Sequence, residues 1–147
     1  MDIEIIHVTS ANASVLAHTD AEVFDAAINP AQLAAFLDSN LHLLVIARTP
    51  ALVVGQLRAM IHLQPDGPNQ LYIDNLGVAP DYRRKGIARA LVRDAFLWAQ
   101  SHDCADAWVA TETDNLAARA LYDTFKSAPD ETVRHEGEKL VIPTGFE

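Results

Sequence analysis

Cysteine is nearly absent: Cys104 is the only one, so no intramolecular disulfide can form and stability must come from a packed core. Set among charged residues at an expected helix end, it has no obvious histidine partner and reads as a half-buried structural thiol. The six histidines show no HxxxH or His/Cys spacing, so no metal site is indicated. No run of ~18 apolar residues occurs, and the first residues, MDIEIIHVTS, carry acids in place of a signal-like apolar core. A cytoplasmic protein with no membrane partner is expected. Positive charge is also scarce, 11 Lys and Arg against 20 Asp and Glu for a net charge of −9, which argues against nucleic acid as a partner.

What is present suits one compact domain spanning residues 1–147, half of it hydrophobic by composition and free of repeats or low-complexity tracts. The scarce cations are concentrated: Arg83, Arg84, Lys85, Arg89 and Arg93 fall within eleven positions. They belong to the stretch Leu71 to Arg93, LYIDNLGVAPDYRRKGIARALVR, which reads as a strand, a basic glycine-containing turn and the start of an amphipathic helix. Such a turn leaves backbone N–H groups aimed outward where the helix dipole and basic side chains favour an anion, the makings of a pyrophosphate cradle. The strand changes phase. Leu71 and Ile73 keep a two-residue period, but Leu76 and Val78 come one residue late, which predicts a β-bulge near Asp74 and Asn75.

Arg83-Arg84-Lys85-Gly86-Ile87-Ala88 resembles the Arg/Gln-x-x-Gly-x-Gly/Ala signature of the GNAT superfamily of acetyl-CoA-dependent N-acetyltransferases. Leu76-Gly77-Val78-Ala79-Pro80 is similar to the strand preceding that signature, and Asn115 to Tyr122, NLAARALY, to the family's Asn-x-x-Ala-x-x-Leu/Phe-Tyr helix. The resemblance spans roughly residues 41 to 125, and residues 29 to 48 and 71 to 92 look most like aminoglycoside 3-N-acetyltransferase relatives. It implies an α/β (α+β) fold: a mixed, mostly antiparallel sheet, bulged in its central strand and flanked by about four helices. Two departures stand out. Lys126-Ser127 occupies the place of the usual Gly and aromatic, and Asn75 stands where many such relatives carry Glu or Asp. Asparagine cannot act as a base.

The resemblance implies acetyl-CoA as acetyl donor. Its pyrophosphate would take backbone N–H bonds from Arg84 to Arg89, with Gly86 allowing close approach, Ile87 and Ala88 opening the helix, and Arg83, Arg84 and Lys85 screening charge. Leu76, Gly77 and Val78 would pair through their backbone with the pantetheine arm, and the Val78 N–H would stabilise the thioester oxygen. Asn115 would hydrogen-bond cofactor or loop backbone. Tyr122 is the candidate general acid for the departing thiolate, beside a plain reading as a packed core tyrosine. For the proton of the amine, Asp74 ranks first, Glu112 second, and His62 or His135 third, with a water chain also open.

Residues 1 to 70 hold seven acids against Arg48 and Arg58, which favours a small cationic amine as acceptor. No activated Cys or Ser suggests a covalent acetyl-enzyme, so direct attack in a ternary complex is expected. A protein or peptide N-acetyltransferase and a catalytically silent acyl-CoA-binding module stay open. Families of this shape often form homodimers, and no residue here specifies that interface.

The remaining elements follow from pattern. A first strand is expected within residues 2–9 and a helix over 12–27 interrupted at His18-Thr19-Asp20; a short helix begins at Asn29-Pro30. His42–Arg48 and Ala51–Leu63 should form a hairpin about Thr49-Pro50, followed by a loop at Gln64–Asn69. On the main helix Ile87, Leu91, Ala95 and Trp98 should share one face, with Ala88 and Val92 beside them. Ala107–Thr111 is the next strand, Thr113 or Asp114 caps the tyrosine helix, and Thr132–Ile142 holds one or two closing strands.

Overall fold

The structure, a computed structural model, describes residues 2–110, 120–122, 125 and 137–141. The two β-rich runs on either side of Thr49-Pro50 pair as expected, His42–Arg48 (β2) with Val53–His62 (β3). Thr49 closes their turn, its hydroxyl accepting from the N–H of Ala51 (3.2 Å) and Leu52 (3.0 Å). Around this hairpin the chain adds Glu4–His7 (β1), Asn69–Val78 (β4), Cys104–Ala110 (β5) and Gly137–Val141 (β6). The six strands lie in sequence order, every neighbouring pair antiparallel except β4 with β5.

Leu43 to Ala47 of β2 are all buried, because both faces of the sheet are covered. One face carries the helix Ile87–Gln100 (α2), whose Ile87, Leu91, Val92, Ala95, Phe96 and Ala99 are buried, each large apolar side chain contributing roughly 1.5–3 kcal/mol. Trp98, expected on that face, lies at its edge and packs on His102 at 4.6 Å between ring centroids, since the 3.6-residue repeat centres the stripe on Phe96 and Ala99. A Cβ on Gly55 of β3 would come 3.2 Å from Ile87, so glycine lets α2 close on the sheet.

The other face carries the segment 13–28 and the helix Pro30–Asp38 (α1). Asn29 caps α1, its Oδ1 accepting from the N–H of Ala31 (2.9 Å) and Gln32 (3.1 Å), with Pro30 at the first helical position. The helix expected over 12–27 is corrected to a short 3-10 turn, Ala13–Ala17. Beyond it, β3 captures the backbone: the Val53 N–H donates to the His18 carbonyl (2.8 Å) and the Asp20 N–H to the Val53 carbonyl (2.9 Å), bonds a helix would have used internally.

Two α-helices and two 3-10 turns, the second at Pro80–Tyr82, stand among the described residues, and Ala120–Tyr122 are helical. Cys104 opens a strand rather than ending a helix; burial and then the carboxylates of Asp106 and Asp103 push its thiol up to about 11, which leaves it inert.

Candidate functional site

The bulge stands where the change of phase puts it. Arg58 pairs with Asn75 and Ala59 with Ile73, leaving Asp74 as the extra residue. Its consequence appears on the other side of β4. Among the described residues β4 pairs with β5 as far as Ile73 opposite Val109, and beyond it Leu76, Gly77 and Val78 line an opening. The Ala79 N–H donates to the Val54 carbonyl at 2.8 Å, which makes Gly55 and Val78 a non-hydrogen-bonded pair. The N–H and C=O of Val78 therefore point away from β3 into the opening, and by the two-residue alternation those of Leu76 do the same. Arg83 reaches back across it, its Nε donating to the Val78 carbonyl at 3.1 Å.

The opening continues into a groove of about 910 Å³ that runs past Leu76, Gly77 and Val78 to the start of α2. Gly86 is the N-cap of α2 with φ of 79°, left-handed backbone that glycine adopts without strain, and it makes no side-chain cap. A Cβ there would meet nothing within 4 Å, so the space over the turn is open. Arg84 also has a positive φ of 62°, and such alternation lets successive N–H groups converge. The first turn of α2 has no intrahelical acceptors for its N–H groups until the Ala90 N–H reaches the Gly86 carbonyl at 3.1 Å. Arg83, Arg84, Gly86, Ile87, Ala88 and Arg89 line the groove; Lys85 does not. The guanidinium of Arg89 sits 4.6 Å over the ring of Phe125. Open N–H groups, a glycine without steric cover and clustered arginines fit a pyrophosphate-bearing thioester cofactor.

A second cavity, about 270 Å³, lies between α1, the segment 24–29 and the sheet. Leu44, Arg58 and Asn75 stand in one row across β2, β3 and β4 and form its floor. Asp25 and Asn75 border both cavities, so the two meet there. Their positions are fixed from below. Gln56 Nε2 donates to the Val23 carbonyl (3.3 Å) and to Asn75 Oδ1, and Asn75 Nδ2 donates to Asp25 Oδ2 at 2.9 Å. Gly77 makes this possible: a Cβ would lie 2.4 Å from the Val23 carbonyl oxygen, so only glycine lets the segment cross β4 so closely.

Asp74, expected to draw the amine's proton, borders neither cavity. Arg58 Nε donates to both its carboxylate oxygens, at 3.0 and 3.2 Å. The bulge that places Asp74 also turns it to Arg58. His62 likewise borders neither cavity. Tyr122 is not on the groove wall, where Ala120 and Leu121 stand; it is 3% exposed, and burial pushes its phenol well above the usual value. Glu112, Asn115, Lys126, Ser127 and His135 lie outside the described residues, as does the cap at Thr113 or Asp114. Among the described residues no cluster of metal-ligating side chains occurs, and no helix is long and apolar enough to cross a membrane.

Sequence reasoning placed Asp25 only among the acids of residues 1 to 70, behind Asp74, and missed Gln56, Tyr82 and Val23 as groove or junction residues. The contacts of Val23 and Asp25 span 33 and 50 positions, and only the double reading of Gly77 as both strand and close-approach residue could have signalled the crossing segment.

Residues 10–125 match the acetyltransferase (GNAT) family. No curated protein matches the sequence. Among solved structures, the fold is similar to an aminoglycoside acetyltransferase from an uncultured soil metagenomic sample, crystallised with trehalose, at TM-score 0.74 and 18% identity over 90% of this chain and 93% of that one. It is similar to AAC(6')-Iy in complex with the bisubstrate analogue CoA-S-monomethyl-acetylneamine, at TM-score 0.73 and 16% identity over 91% and 96%. A chain of the NatC complex bound to Gag peptide and CoA overlaps at TM-score 0.72 and 23% identity over 97% and 100%.

Proposed function

The chain belongs to the acetyltransferase (GNAT) family, acetyl-CoA-dependent N-acetyltransferases, and from that premise we propose that it acetylates a primary amine of a small cationic acceptor by direct attack in a ternary complex. The observation that carries this reading is the groove that joins the outward-pointing backbone of Leu76 and Val78 at one end to the Gly86 turn at the other. Leu76 and Val78 would offer the pantetheine arm the backbone edge that points away from β3, and the turn from Arg84 to Arg89 would hold the pyrophosphate. When bound, acetyl-CoA supplies an activated acyl carbon, so the C–N bond of the amide forms as the C–S bond breaks. The Val78 N–H, which points away from β3, would be available to stabilise the charge that gathers on the carbonyl oxygen.

Two protons leave the ammonium overall. One reaches the departing sulfur, from Tyr122 or water, and the other passes to solvent. Burial pushes the Tyr122 phenol up and makes it a weaker acid, so in that role it adds ~10²-fold at most, because a thiolate also leaves readily unprotonated. Asp25, at the junction of the cavities, is the carboxylate placed to receive the amine's proton, whereas Asp74 acts on the site through Arg58. A peptide amino terminus is the second acceptor class, in view of the overlap with the NatC chain.

The test is free-thiol release from acetyl-CoA across a panel of monoamines, polyamines, aminoglycosides and peptides, with calorimetry of CoA binding alongside. Thiol release that depends on an added amine is expected. CoA binding without it would leave an acyl-CoA-binding module, and no binding at all would remove the enzyme reading.

A further inference from the structure

The acceptor cavity is small, mostly apolar and electrically balanced. Its volume is about 270 Å³, against roughly 150 Å³ for an apolar cavity that holds one benzene ring. It encloses a single ring or branched chain with a short linker, and the rest of an oligosaccharide would lie outside it, away from its apolar walls. Phe24, Ile28, Leu33, Phe36 and Leu44 form its body, and all but Leu44 are only partly buried, so an apolar occupant would take their remaining surface out of water.

Charge enters the described lining at two points, Asp25 and Arg58. Asp25 stands where the donor groove meets the cavity, oriented by the Gln56–Asn75 hydrogen bonds. Arg58 lies on the floor beside Leu44 and Asn75, held through its Nε by Asp74. A first ammonium gains Asp25 at the point of reaction. A second, carried deeper, meets a guanidinium well within the ~10 Å over which salt at 0.1 M screens charge.

We infer that the acceptor is a monoamine with one apolar body, of the arylalkylamine or branched alkylamine class, its ammonium against Asp25 and its body among Phe24, Leu33 and Phe36. The inference rests on the acetyl-transfer reading of the donor groove for its chemistry, though not for its binding.

The experiment compares 2-phenylethylamine and isopentylamine with spermidine and kanamycin at fixed ionic strength. CoA release by the full chain gives kcat/KM, and calorimetry on CoA-saturated protein gives binding without turnover. The two monoamines should exceed both polycations by about tenfold or more in kcat/KM and should bind more tightly. Leu33→Asp, which adds a second carboxylate to the wall, should shift that ratio toward spermidine by about tenfold. Phe36→Ala should lower kcat/KM for 2-phenylethylamine by about tenfold with CoA affinity intact, and it carries the test if Leu33→Asp loses CoA binding through misfolding. Tighter monoamine binding without any CoA release would overturn acetyl transfer and sustain the assignment of the cavity. Polycations equal or better in both assays, monoamines that neither bind nor react, or a ratio indifferent to both substitutions would overturn the inference.

Discussion

The groove proposed for the donor and the cavity proposed for the acceptor share Asp25 and Asn75 yet are built in opposite ways. The groove is made of backbone: the edge of β4 at Leu76 and Val78 that points away from β3, the left-handed Gly86 and the first turn of α2. The cavity is made of side chains, brought by a segment that crosses β4 at Gly77 and by a helix that contributes Leu33 and Phe36. A backbone site needs particular glycines and a strand–turn–helix order, whereas a side-chain site can be relined without disturbing the fold. The donor should therefore be intolerant of change at a few positions, and the acceptor should be retunable at many.

The largest effect is expected on the donor side. Gly86→Trp puts a bulky side chain on left-handed backbone and over the open N–H groups, so CoA affinity should fall by about 100-fold or more, read as lost heat and a lost melting-temperature shift. Asp25→Asn should leave CoA binding unchanged and lower kcat/KM for the amine by about 100-fold. Asp74→Asn should cost about threefold, because its partner Arg58 is itself 46% exposed and such pairs are weak. An equal loss at both positions would erase the distinction between junction and bulge.

How much of this was legible in the sequence follows the same division. The bulge, the Gly86 turn, the β2–β3 hairpin and the capped α1 are local patterns of phase, glycine and Asn-Pro, and all four stand in the structure where the residues put them. The segment 18–25 was not legible. Its apolar spacing at Val15, Leu16, Val23 and Phe24 suits a helix, but its hydrogen bonds go to Val53 and Gln56, more than thirty positions away. The position of Asp25 between the two cavities has the same source, since it arises only when the segment folds over Gly77.

Smaller effects sharpen the contrast. Tyr122→Phe removes a hydroxyl from a residue off the groove wall, so kcat should fall by only about twofold where chemistry is rate-limiting, with CoA affinity unchanged. An unchanged kcat would return Tyr122 to core packing. Outside both regions, the hydrogen bond to Asp94 ties β1 to α2 and raises the pKa of His7, an effect that burial opposes and the charge of Asp94 reinforces. A raised histidine pKa means the protonated form is favoured on folding. That stability is full below the usual value near 6.5 and fades as pH rises through the folded value above it. With His7 42% exposed, the melting temperature of wild type relative to His7→Gln should drop by about 1–3 °C between pH 6 and pH 9.

The separability of the two halves is tested most directly by titrating CoA calorimetrically into wild type, Gly86→Trp and Asp25→Asn. The prediction is micromolar binding by wild type, the same affinity in Asp25→Asn, and no measurable heat in Gly86→Trp. No binding by wild type, or binding by Gly86→Trp as tight as by wild type, would contradict it.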